Sequence, residues 1–146
     1  MPHYFTVAEV ARLLPALETA MREAVFLKSE QDRAEAELER VVHRVAMLGG
    51  STVNRQHILA QQARREASGN RLKSVVARIE AFGCTIKDLA TGLADFLTLY
   101  RNEEVLLCCK LGEREIRFWH RVEDGFPGRQ PIDADFLANH GPRAQS

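Results

Sequence analysis

Apolar residues spaced alternately three and four apart run from Val10 through Leu13, Leu17, Ala20, Ala24, Leu27, Gln31, Ala34, Leu38, Val41 and Val45 to Leu48. Eleven of these twelve positions are apolar, so the stretch can be little other than a helix with a continuous seam on one side. At about 1.5 Å per residue it makes a rod of roughly 60 Å. Thr6 and Glu9 form a T-x-x-E capping box ahead of it, Phe5 and Val10 occupy the two positions of a hydrophobic staple, and Gly49-Gly50 closes it. Helix one is therefore expected over 6–48. Pro15 lies inside the pattern and is expected to kink the first turns or to split off a short leading helix.

A seam of that length needs a partner. Leu72, Val75, Val76, Ile79 and Phe82 form the apolar stripe of a second helix, expected over 54–82, whose earlier half is more polar and contains Gly69. A glycine inside a helix weakens it by roughly 1 kcal/mol relative to alanine. The glycine pair leaves room only for an antiparallel hairpin. Helix one holds six basic against eight acidic residues and helix two six against two, which favours their lying side by side. Over the whole chain twenty basic residues balance twenty acidic ones, so no overall field draws it towards nucleic acid or an anionic membrane.

After Gly83 the period changes from 3.6 to 2. "CTIKDL", "LADFLTLY", "EVLLCCKL" and "EIRFWHRV" read as four antiparallel strands filling 84–122, with two-residue turns at Arg101-Asn102 and Gly112-Glu113. The fold class is α+β: a long, coiled-coil-like antiparallel helical hairpin followed by a small antiparallel β-meander. One domain is expected over 1–132, and 133–146 reads as a flexible tail in which only a few apolar residues, Phe136 and Leu137 among them, could hold the chain down.

With the turn at Gly112-Glu113, Cys109 faces Ile116, Leu107 faces Phe118 and Val105 faces His120, which makes one dry side of the sheet together with Ala94, Phe96 and Thr98. The other side gathers Asp95, Cys108 and Arg117, Lys110 with Glu115, and Trp119 over Leu97 and Leu106; it reads as wet. Vicinal Cys108 and Cys109 then point in opposite directions. Cys84, Cys108 and Cys109 form no C-x-x-C pair, so reduced thiols are expected rather than disulfides.

Each candidate for chemistry has a structural counterpart. His120 could be a general base or a metal ligand, and is more simply a buried histidine bonded to the backbone. Cys108 could be a thiolate lowered in pKa by Arg117, or a small filler in an ion-pair lattice. Zinc or another divalent ion would draw on Asp95, Cys108, Glu115 and His120, but with His120 on the opposite face the register brings too few of these together. No P-loop, G-x-G-x-x-G, G-x-S-x-G or H-E-x-x-H pattern occurs. The basic residues of helix two face acidic ones and have no interleaved aromatic residues, which speaks against nucleic-acid binding.

"YFTVAEVARLLP", "KDLATGLADF" and "EVLLCCKLGEREIRFWHRVEDGFPGRQPI" together resemble the small prokaryotic proteins of the domain of unknown function 2203 family. The most specific features are Leu107-Cys108, Gly112-Glu113, Ile116, Trp119-His120, Gly125-Phe126 and Gly128-Arg129; where the family often has Asp-Gly in the preceding turn, this chain has Arg101-Asn102. The resemblance implies a cytoplasmic, bacterial, single-domain protein and supplies no reaction. It directs attention to the "GFPGR" loop, where Arg129 would clamp an anion or tie the loop to a carboxylate.

The sequence has neither a secretory-signal pattern at its start nor a membrane-length apolar run, in keeping with a cytoplasmic location. The favoured expectation is a non-enzymatic scaffold that forms a homodimer through its helices, binds protein partners and carries no cofactor. The alternative is a metal-dependent or ligand-binding activity built from Asp95, Cys108, Glu115, His120 and Arg129.

Overall fold

The capping box starts the first helix as expected: Thr6 Oγ1 accepts the Glu9 N–H and Glu9 Oε1 accepts the Thr6 N–H, each at 3.1 Å. The computed structural model describes residues 2–48 and 55–142. Helix α1 is continuous over Val7–Met47 and α2 covers Arg55–Glu80. Pro15 does not split α1. It sits on the exposed side, where water can serve the carbonyl that a proline leaves without a donor. Gly49-Gly50 and Asn54 lie outside the described residues.

Eight seam residues of α1, among them Val10, Leu17, Ala24, Ala34 and Leu38, are buried. Leu72, Val75 and Ile79 are their buried counterparts on α2. Gln31, the one polar member of the seam, meets Gly69: a Cβ there would lie 2.9 Å from Gln31 Nε2, so the glycine makes room for the amide. The charge asymmetry becomes a ladder of antiparallel ion pairs, with Arg71 and Arg78 on Glu23 at 3.2 and 2.9 Å, Arg64 on Glu30, and His57 on Glu37 at 2.9 Å. Hydrogen bonds from Arg40 and then His57 hold the Glu37 carboxyl down at about 2.

The sheet is antiparallel throughout, in the order β1 (Thr85–Asp88), β2 (Leu93–Tyr100), β3 (Glu103–Lys110), β4 (Phe118–Arg121) and β5 (Gln130–Pro131). Arg101 and Asn102, at φ 51° and 67°, make the expected two-residue turn, and β2 and β3 pair in the expected register. Ala94, Phe96, Leu107, Val105 and Cys109 share one core with Val10, Leu17, Met21 and Ile79 of the helices.

The next strand departs from expectation. Gly112-Glu113 is not a two-residue turn. Glu113 Oε1 folds back to accept the Lys110 N–H at 2.9 Å, and 111–117 stays irregular before β4 begins at Phe118. Leu107 therefore faces Trp119, Leu106 faces His120 and Cys108 faces Phe118, one residue away from the expected pairing. A one-residue slip turns every side chain of a strand over. Here it sends Trp119, the largest apolar side chain of the strand, into the core and moves His120 to the opposite face.

Residues 133–142, expected as flexible tail, are packed. Asp133 Oδ1 accepts the Phe136 N–H at 2.8 Å and caps α3 (Ala134–Asn139). Phe136 is fully buried, stacked on Trp119 at 5.1 Å between ring centres and flanked by Tyr100 and His140. One well-placed aromatic residue on a capped turn is enough to anchor a short segment. His140 Nδ1 donates to the Leu137 carbonyl at 2.9 Å, and its Nε2 accepts the Val7 N–H at 3.0 Å, so α3 also caps α1.

Candidate metal centre

On the face of the sheet turned away from that core, Asp95 of β2 stands directly opposite Cys108 of β3. His120 of β4 lies one row along, opposite Leu106, and reaches across β3 to Asp95. Its Nε2 is 3.1 Å from Asp95 Oδ2. One ligand atom from each of Asp95, Cys108 and His120 lies within 4.8 Å of the other two. This face was expected to be wet, yet the three residues are only 3%, 0% and 2% exposed.

The loop carrying "GFPGR" supplies part of the cover. Arg129 stacks its guanidinium on Phe118 at 4.2 Å and on Phe126 at 4.8 Å. It donates to Glu113 Oε1 at 2.7 Å and to the Cys108 carbonyl at 3.3 Å. Of the two roles open to Arg129, tying the loop to a carboxylate is the one observed. Glu113, which the sequence pattern places in a turn, serves both the β3 end and this arginine. An acidic side chain just after a turn glycine was the available signal.

The protons of the cluster are constrained. His120 Nδ1 lies 2.8 Å from the Arg121 carbonyl oxygen, which can only accept, so Nδ1 carries hydrogen. In neutral imidazole Nε2 would then present a lone pair to the Asp95 carboxylate oxygen, and in imidazolium it would donate a hydrogen to it. Asp95 Oδ1 is buried and has no hydrogen-bond partner among the described residues. Burial, followed by the nearby Asp95 carboxylate, pushes the Cys108 thiol up to about 12, with Arg129 opposing. The Arg129 guanidinium alone does not offset this, so the sulfur stays protonated, whereas a metal ion would supply the charge that makes a thiolate.

Residues 3–132 match the family model described as uncharacterized conserved protein DUF2203. The chain belongs to the DUF2203 family. It matches no curated protein and no solved structure. Asp95, Cys108, Glu113, His120 and Arg129 all fall within the matched span of this DUF2203 chain, whereas α3 and His140 lie beyond it. No helix among the described residues is long and apolar enough to cross a membrane.

Two expected site residues are not at the cluster. Glu115 and Arg117 are exposed and pair with each other at 3.3 Å, because the irregular 111–117 segment carries them off the sheet. Arg117 therefore does not act on Cys108; Arg129 is the cation beside it. Lys110, expected to pair with Glu115, instead lies over the Phe126 ring at 5.3 Å. Nucleophilic chemistry does not suit the DUF2203 cluster: Cys108 is fully enclosed with a raised thiol pKa, and His120 offers Nε2 to Asp95.

Proposed function

We propose that this DUF2203 protein binds one divalent transition-metal ion, zinc in the first instance, through Asp95, Cys108 and His120. The observation that carries the reading is the approach of two acceptors, His120 Nε2 and Asp95 Oδ2, to 3.1 Å with Nδ1 already committed as the donor. Two lone pairs at that distance repel unless a cation lies between them. A proton would serve, making a buried imidazolium–carboxylate pair, but it would leave Asp95 Oδ1 unpartnered among the described residues. Bonds of about 2.0–2.2 Å at a tetrahedral ion set neighbouring nitrogen and oxygen ligands roughly 3.3 Å apart, close to the separation found. Sulfur, imidazole and carboxylate together favour zinc and its neighbours over magnesium or calcium, which take oxygen ligands. A backbone carbonyl fixing the far imidazole nitrogen is the usual support of a histidine ligand.

Metal analysis after equilibration with zinc is expected to give one ion per chain in the wild type. The near-isosteric Cys108→Ser and the truncating His120→Ala should each lose it. A wild-type protein that takes up no zinc, cobalt or nickel would sink the proposal.

The helical hairpin supports a second, compatible reading. Val42, Met47, Leu48 and Leu59, towards the far end of the hairpin, are exposed apolar residues, as is Phe26 further back. Apolar surface of this kind favours association, and a dimer through the helices would cover it. Sedimentation equilibrium at micromolar concentration should then report twice the 16.5 kDa chain mass, and a purely monomeric profile would discard this reading.

A further inference from the structure

We infer that the ion is held by four donor atoms of the chain itself, the fourth being Asp95 Oδ1, and that it acts as a staple fastening β4 to β2 and not as a centre where a substrate binds. This rests on the metal reading above and assigns the ion its role. Three residues supply a sulfur, a nitrogen and at least one oxygen. The buried Oδ1 belongs to the same carboxylate, has no hydrogen-bond partner among the described residues, and is thus a further donor atom beside the three. A catalytic zinc keeps an open position for water or substrate, whereas a structural zinc is closed by four protein donors. With Asp95, Cys108 and His120 at 3% exposure or less, solvent has no ready approach to a fourth position.

The topology says what such an ion would fasten. Strand β4 is four residues long, is reached through the irregular 111–117 segment, and pairs with β3 at four positions. Asp95 lies on β2, on the far side of β3, so the ion spans all three strands. Among the described residues β5 pairs only with β4, whereas α3, although Phe136 stacks on Trp119, is also bonded to β2 and its turn, the Arg101 N–H donating to the Asn139 carbonyl at 3.1 Å and the Gly141 N–H to the Leu99 carbonyl at 2.8 Å. Occupancy of the site thus governs whether β4 and β5 stay docked, while the ion-paired helical hairpin has no share in it.

Two measurements test this. In the cobalt-substituted protein, absorption from the four-coordinate, thiolate-bound ion should not change on adding azide. In Asp95→Asn, whose amide offers one oxygen donor in place of two, cobalt should bind more weakly and its spectrum should respond to azide. In parallel, hydrogen exchange is compared with free zinc at about 100 times its Kd and with chelator. Zinc should slow exchange across β4 and β5 about 100-fold where opening of those strands exposes the site, with the α1–α2 pairing unaffected. An azide response in the wild type, or equal exchange with and without zinc, would overturn the staple while leaving metal binding intact. Failure of the wild type to take up any ion would instead remove both, and metal analysis alone identifies that case.

Discussion

The helical hairpin and the sheet are held together in opposite ways. Along the hairpin, α1 and α2 meet through a repeated seam and a ladder of exposed pairs, Arg78 on Glu23, Arg64 on Glu30 and His57 on Glu37. Any one of these is worth little, because exposed ion pairs lie in high dielectric and lose side-chain entropy on forming. The hairpin tolerates the loss of a part. In the sheet a few residues hold many others: Trp119 fixes the face of β4, Glu113 serves a strand end and an arginine, and Phe136 anchors α3. Redundancy makes the first region legible and robust, and its absence makes the second one specific.

Substitution can break this comparison at its strongest point or sharpen it at its weakest. The largest effect is expected for Phe136→Ala, which empties a fully buried site between Trp119, Tyr100 and His140. Denaturant unfolding should show a loss of about 3–5 kcal/mol, the range for removing a buried aromatic side chain. A loss below about 1 kcal/mol would mean that α3 is not part of the cooperative unit. A smaller effect of opposite sign is expected in the hairpin. Gly69→Ala brings a Cβ against Gln31 Nε2, the free end of a flexible side chain that can swing aside, and improves the helix. Thermal melting should show stabilisation of up to about 1 kcal/mol; destabilisation would show that Gln31 has no other place to go.

What the amino-acid sequence conveyed follows the same division. The seam of α1, its cap, its partner helix and the sign of the charges between them could all be read, because each was stated many times at a period of 3.6. The two-residue turn at Arg101-Asn102 was also legible, and with it the opposition of Asp95 to Cys108. The cluster's members were named, but they were divided between two faces. One local event caused this: Glu113 takes the Lys110 N–H with its side chain, the expected turn becomes an irregular segment, and the parity of β4 changes. Alternation along a strand gives the faces only relative to one another. Which is dry is set by a turn or by the most demanding side chain, and giving Trp119 precedence over Phe118 would have chosen the observed register. His120 is the buried, backbone-bonded histidine of its structural reading, through Nδ1, and its Nε2 is directed at Asp95. The packing of α3 had no periodic signal, since a single aromatic residue provides most of it.

The imidazole of His140 receives the amide hydrogen of Val7 across a separation of 133 residues. During synthesis the first turn of α1 leaves the ribosome long before that acceptor exists. Until then Thr6 and Glu9 must hold the helix start without it, and the opening turn reaches its finished state only when the chain has emerged as far as His140.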